Sequence, residues 1–225
     1  SGSINAASLT QSGGTGTTRL GTVDTNAVAG IDLNGFNISF ALPVTTAGGG
    51  PVTISNSGTL TLPDAADLTI DGPFSQDVTT GSVSLGAEIT TTGDTISFDG
   101  PITLTDAVTI DATNGLAIPA GASIDFADTS TVGGSFALTL NSGNAGTVAF
   151  GTTNADASAR IGGASGISRI GALTIANAAG VTFNGQVYAA SVAQTAGTGT
   201  TAFNRLDRTS DVSGTGLNLG GRPFP

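Results

Sequence analysis

The chain contains no cysteine, histidine, methionine, tryptophan or lysine and a single tyrosine among 225 residues. Each absence closes a route. Without cysteine there is no disulfide framework of the kind that staples eukaryotic secreted domains, and the lack suits a bacterial exported protein, whose stray thiols would be oxidised before folding. Without histidine and cysteine there is no Ser-His triad and no ordinary zinc site. Without lysine there is no P-loop. Without methionine the sequence has no initiator of its own, so it reads as an interior or processed piece of a longer product whose targeting segment lies elsewhere. No apolar run approaches the roughly 18 residues of a membrane span, and an extracellular location is the expectation. Positive charge is also scarce, with six Arg against sixteen acids for a net −10. That balance argues against a nucleic-acid partner, whose phosphates need a basic stripe.

The charge that is present is unevenly placed. Residues 1–128 hold thirteen acids and only Arg19, whereas 129–225 hold Asp156, Asp207 and Asp211 against five Arg. An acidic first half and a mildly basic second half are suited to ordering repeats or molecules head to tail. The apolar residues are Ala, Val, Ile and Leu with ten Phe, set among 35 Gly and many Thr and Ser. This is material for thin strands and tight turns.

One string occurs twice. "AASLTQSGGTGTTRL" at 6–20 returns as "AASVAQTAGTGTTAF" at 189–203, in a register that places Gly14 and Gly16 on Gly197 and Gly199. After a three-residue slip "GIDLNG" (30–35) meets "GLNLGG" (216–221), so 189–221 restarts the pattern of 6–35. The whole of 1–225 therefore reads as one segment of a longer array of repeats about 183 residues long, with the four glycines as junction markers.

A shorter cycle runs inside the long one. "ISFALPV" (38–44), "LTIDGPF" (68–74), "ISFDGPI" (96–102), "IDFADTS" (124–130), "VAFGTTN" (148–154) and "VTFNGQV" (181–187) each set two apolar residues around a small polar one before a turn. Similar triplets lie between them, punctuated by Gly, Asn-Gly, Asp-Gly and Pro, and no stretch keeps helical periodicity. A period of two means one face in and one face out. Coils of about 22 to 30 residues with three or four strands each point to a parallel β-helix, in which stacked coils share one continuous core. Phe40, Phe98, Phe126, Phe150 and Phe183 would then stack along the axis. An antiparallel β-sandwich is the alternative.

Few residues offer chemistry. "GTGTTA" (197–202) satisfies Gly-x-Gly-x-x-Ala, but "FNRLDRTSDVSG" follows instead of the helix a dinucleotide site needs, so it reads as a repeat turn. Asp71 and Asp99, in like places of successive markers, would stack on neighbouring coils about 5 Å apart, near the spacing of a retaining glycosidase pair, although Asp-Gly is equally good turn chemistry. Asp64, Asp67 and Asp71 form a possible calcium cluster, the one cofactor the sequence leaves open. Thr53, Thr61, Thr69, Thr103, Thr109, Thr139, Thr174 and Thr182 fall at outward positions and could form a hydroxyl ladder for a glycan or ice, or simply be solvent-facing strand residues. Insertion loops such as 151–169 are a further place for a glycan. Asn37 in "NIS" is a glycosylation acceptor on paper, inside a predicted strand.

"DTISFDGPITLTDAVTIDA", "GALTIANAAGVTFNGQV" and "VAQTAGTGTTAF" resemble the imperfect repeats of large bacterial exoproteins of the filamentous haemagglutinin and autotransporter-passenger type, over nearly the whole chain. The resemblance implies a right-handed β-helical stalk carried outside a Gram-negative-type cell, usually as part of an adhesin. The Asn-Pro-Asn-Gly-type secretion motif of such proteins is absent from this sequence. The expected function is structural: a stalk or filament for reach and display, whose partners are neighbouring repeats or identical subunits and a glycan or host surface. An Asp-dependent polysaccharide-cleaving enzyme is the third class, and no enzyme is the expectation.

Overall fold

The computed structural model describes residues 2–77, 81–152, 159–162 and 169–204, with 211–218 as backbone. The last two residues of the marker "VAFGTTN", 153–158 and 163–168 of the insertion loop 151–169, and the last three residues of the restart "GLNLGG", together with Asp156 and Asp207, lie outside those residues.

Short alternating triplets separated by glycine and proline turns fold here as strands of two to eight residues, and among the described residues there is no helix. The first coil runs through Ile4–Ala6, Leu9–Ser12 and Thr17–Leu20, and the second through Val23–Thr25, Ile31–Gly35 and Asn37–Phe40. Each strand turns a corner instead of folding back, then pairs in parallel with the strand one coil later. The result is three parallel sheets of ten, nine and seven strands, called here the first, second and third sheets in the order the chain meets them. This is a parallel β-helix of about eight turns; no antiparallel sandwich forms.

The reason is burial. Every coil exposes alternate side chains and turns the others inward, as in Ile31–Gly35, where Ile31, Leu33 and Gly35 are buried and Asp32 and Asn34 exposed. One coil cannot cover that inward face, but stacked coils cover one another, and a single apolar cluster extends from Leu20 to Val192. On the second sheet Phe98, Phe126, Phe150, Phe183 and Phe203 pair in register. Their ring centroids lie 5.6, 4.3, 5.4 and 4.6 Å apart along the axis. Phe74 joins from the coil below at 5.2 Å, tilted 49°.

Phe40 does not belong to this column. It lies on the third sheet above Leu20, because the six marker strings occupy different faces. Ile38–Phe40 is on the third sheet and Leu68–Ile70 on the first, and only the last four markers share the second. Strands of the second sheet begin at Leu9, Ile31, Val52, Phe74 and Ile96, at nearly constant spacing, and then at Ile124, Thr147, Gly180 and Thr201, at uneven spacing. The extra residues leave at corners. The largest described excursion follows Asp111, whose carboxylate accepts from the Thr113 and Gly115 amides at 2.8 and 2.9 Å and organises the turn. Leu116 there sits at φ 74°, a left-handed conformation unusual for a γ-branched residue, and is exposed.

Candidate functional site

The acidic residues of the fourth coil come first because the calcium reading rests on them. Asp64 and Asp67 lie in the turn that precedes Leu68–Ile70, and Asp71 follows that strand. Four extended steps separate Asp67 from Asp71, about 13 Å of backbone. Their carboxylates serve neighbouring coils: Asp67 Oδ1 accepts from the Glu88 amide at 2.9 Å. Asp71 Oδ2 accepts from the Gly49 amide at 3.0 Å and Oδ1 from the Thr92 hydroxyl at 2.9 Å. These bonds, the Gly49 amide foremost, hold the Asp71 carboxyl below its ordinary value. No group of three or more acidic side chains converges among the described residues. The strand Leu68–Ile70 thus separates Asp71 from the turn that carries Asp64 and Asp67.

Asp71 and Asp99 do not stack either. Asp71 stands where the chain passes from the first sheet to the second, whereas Asp99 follows Ile96–Phe98 and stands where it passes from the second to the third. Identical "DGP" turns on different corners give no paired-acid geometry. The carboxylate that does sit near Asp99 is Asp77, one coil below: the strand register places Gln76 beside Phe98. Burial, with the Asp77 charge adding to it, pushes the Asp99 carboxyl up. Burial alone raises Asp125 on the second sheet.

The threonines sort onto three faces: Thr69, Thr109, Thr139 and Thr174 on the first, Thr53 and Thr182 on the second, Thr61 and Thr103 on the third. Thr109, Thr139 and Thr174 stand in register on the first sheet, as do Thr45, Thr69 and Thr90. The longer hydroxyl surface is the third sheet of the lower coils. Arg19, Ser39, Thr61, Ser84 and Thr103 stand in register as one outward column. Beside it Thr17, Asn37, Thr59 and Ser82 form a second, linked by hydrogen bonds from one coil to the next. Asn37 Nδ2 donates to Thr17 Oγ1 at 3.4 Å, Asn37 Oδ1 accepts from the Thr59 amide at 2.8 Å, and Thr59 and Ser82 hydroxyls meet at 3.4 Å. Asn37 is thus committed to the ladder and lies within a strand, as expected. Columns about 7 Å apart and rows about 4.8 Å apart make a flat polar lattice. Thr17, Arg19, Asn37, Ser39, Thr59 and Thr61 border a shallow groove of about 340 Å³ with Ile38 at its floor. That Arg19, Ser39, Thr59, Ser82 and Ser84 share this face with Asn37, Thr61 and Thr103 carried no signal in sequence, because nothing local tells which of three faces a strand will join.

Comparison with family models, with curated proteins and with solved structures returns no match. The geometry stands on its own.

The duplicated motif repeats its glutamine hydrogen bonds at both ends, although its first copy turns a corner between Ala6 and Leu9 and its second runs through Tyr188–Gln194 as one strand. Thr18 Oγ1 donates to Gln11 Oε1 at 2.8 Å, and Thr201 Oγ1 donates to Gln194 Oε1. Gln11 Nε2 reaches the Gly13 carbonyl at 3.4 Å and Gln194 Nε2 the Ala196 carbonyl at 3.1 Å. A buried amide without such partners would cost about 1–3 kcal/mol, so the Gln-to-Thr pairing is the part of the motif that its spacing serves. The glycines differ in surroundings. A methyl at Gly197 or Gly199 would run into the carbonyls of Ala178 and Ala179 in the coil below. At Gly14 it would meet only the Gln11 side-chain nitrogen at 3.1 Å, and at Gly16 nothing within 4 Å.

Proposed function

We propose that this chain is a structural segment of a long extracellular bacterial repeat protein, a stalk or filament whose work is reach and display. The observation that carries the reading is axial continuity. One apolar cluster runs through the stacked coils and takes in Ile4 and Leu9 at one end and Phe203 at the other as half-buried members. Such a core lengthens by addition of like coils without change of design, at about 4.8 Å per coil. The duplicated motif supports the same reading, since its second copy reproduces the Gln-Thr bond of the first. The extracellular, adhesin-type assignment rests on the cysteine-free composition and on the resemblance of the repeats to filamentous haemagglutinin-type exoproteins. The reading gives the chain no catalytic role.

Small-angle scattering of chains carrying one, two and three copies tests it. The maximal dimension should grow by about 37 Å per added copy at constant cross-section. Growth in girth instead of length would end the stalk reading.

A second reading is favoured by one observation, the hydroxyl lattice and groove of the third sheet. We propose it as the face for a neutral glycan, with Thr59, Thr61 and Arg19 as contacts. Binding on a glycan array that is lost in Thr59→Leu/Thr61→Leu supports it, whereas signal unchanged in that variant, or confined to ice-recrystallisation inhibition, removes it.

A further inference from the structure

The two copies of the duplicated motif occupy different faces. Gln11 belongs to the second sheet and Thr18 to the third, whereas Gln194 belongs to the first and Thr201 to the second. In the flanking strand Val187, the equivalent of Ile4 on the first sheet, bridges to Ile161 of the third, whereas Tyr188 and Ala189, the equivalents of Asn5 and Ala6, stay on the first, so the shift of face is complete from Val192, the equivalent of Leu9, onward. Ile31 stacks above Leu9 on the second sheet; Leu217, its equivalent, stacks above Val192 on the first. The stretch from Gln11 to Gln194 therefore spans eight turns less one face, about seven and two-thirds turns.

We infer that the underside of the first coil is the seat of another copy of this repeat, turned about the axis by one face. The preceding copy's Ile170–Asn177 strand lies under Leu9–Ser12, as it lies under Val192 within this chain. Its Gly180–Phe183 strand lies under Thr17–Leu20, as it lies under Thr201–Phe203.

Two independent observations support the seat. Gly197 and Gly199 are pressed against the Ala178 and Ala179 carbonyls, a contact only glycine allows, and the same glycines recur as Gly14 and Gly16, where this chain makes no use of their lack of a side chain. The aromatic column supplies the other. Leu20 is the equivalent of Phe203, and Phe40 stands directly above Leu20. In the proposed seating Phe183 of the preceding copy lies beneath Leu20, so the column that ends on one copy's second sheet passes through one aliphatic residue into Phe40 on the next copy's third sheet. Its place in a marker string thus has a use in the array that it lacks within one copy.

The consequence is a precession. Because each copy turns by a face, a surface such as the hydroxyl lattice points in three directions on three successive copies and returns to its first direction on the fourth. A stalk built so displays the same face all round.

The inference rests on the repeat-array reading, and its test separates the two. Two copies are joined at the duplicated motif, residues 1–188 followed directly by residues 6–225, in a chain free of native cysteine. Register neighbours on adjacent parallel strands lie within disulfide reach. Thr174→Cys in the first copy with Thr10→Cys in the second is expected to cross-link on mild oxidation. Thr182→Cys with Thr10→Cys is expected to stay reduced, and Thr53→Cys/Ser75→Cys within one copy reports a folded coil. Cross-linking of Thr182 instead of Thr174 would leave the array standing and overturn the rotation. Neither junction pair closing while the internal pair closes would overturn both.

Discussion

The lower four coils and the coils above them share one frame and fill it differently. At one inward position of the second sheet the lower coils place Gln11, Leu33, Ile54 and Gln76 in register; the same position above holds Phe98, Phe126, Phe150, Phe183 and Phe203. Below, the second-sheet strands recur at nearly constant spacing, and the buried Gln76 is held by Asn56 Oδ1 at 2.8 Å and by the Gly100 amide at 3.2 Å. Above, coil lengths vary widely while the ring stack stays in register. The difference teaches that register along the axis is held by the inward column, and that residues can be added at corners wherever that column is strong.

The largest expected effect breaks the column itself. Phe150→Ala, which removes a ring stacked on both sides, should cost about 4–5 kcal/mol in urea unfolding followed by circular dichroism, against about 3 kcal/mol for Leu33→Ala below. Equal costs would mean that the stack counts only as buried area. Next comes the junction: Gly199→Val should cost about 3 kcal/mol and strip amide-exchange protection from 188–203, whereas Gly16→Val should stay within about 0.5 kcal/mol. Thr201→Val, which leaves the buried Gln194 oxygen unpaired, should cost about 1–2 kcal/mol. Thr18→Val, at the half-buried copy, should cost about half of that.

The smallest effects separate the halves by pH. Asp71, in the lower half, has its folded value depressed, so its contribution is present above the unfolded value of 3.8 and is lost as pH falls through the lower folded value. Asp71→Asn should therefore destabilise at pH 7 and approach neutrality in strong acid. Asp125, in the upper half, is raised, so its charged form opposes folding above the raised value and that penalty fades as pH falls toward 3.8. Asp125→Asn should stabilise at pH 7 and make no difference below 3.8. Thermal melts of the two variants across pH 2–7 that ran parallel to one another would refute these opposite signs.

Much of the fold could be read before the structure. Alternation in "LTI", "ISF" and "VTF" is a local property, so strand, inward face and turn were legible residue by residue, and with them the ring column through Phe98, Phe126, Phe150 and Phe183. Phe74 and Phe203 escaped because "FSQ" and "TAF" do not look like the markers. Phe40, Asp71 and Asp99 were misplaced for the opposite reason: identical strings turned out to lie on different faces. Of the candidate sites, the duplicated junction was visible as a repeat, whereas of the hydroxyl lattice only Thr61 and Thr103 were legible as outward hydroxyls, and the face they share was not. Its members come from five coils and look like any solvent-facing Ser or Thr.

Sequence alone determined that this chain is built of short strands with one side in, joined by glycine and Asp-Gly or Asn-Gly turns, because those choices follow from backbone sterics and burial within a few residues. Which sheet each strand joins was decided only by the tertiary structure. A coil passes three corners, each able to absorb extra residues, so the face a strand reaches depends on every loop before it. The same dependence leaves the second copy of the motif one face short of the first.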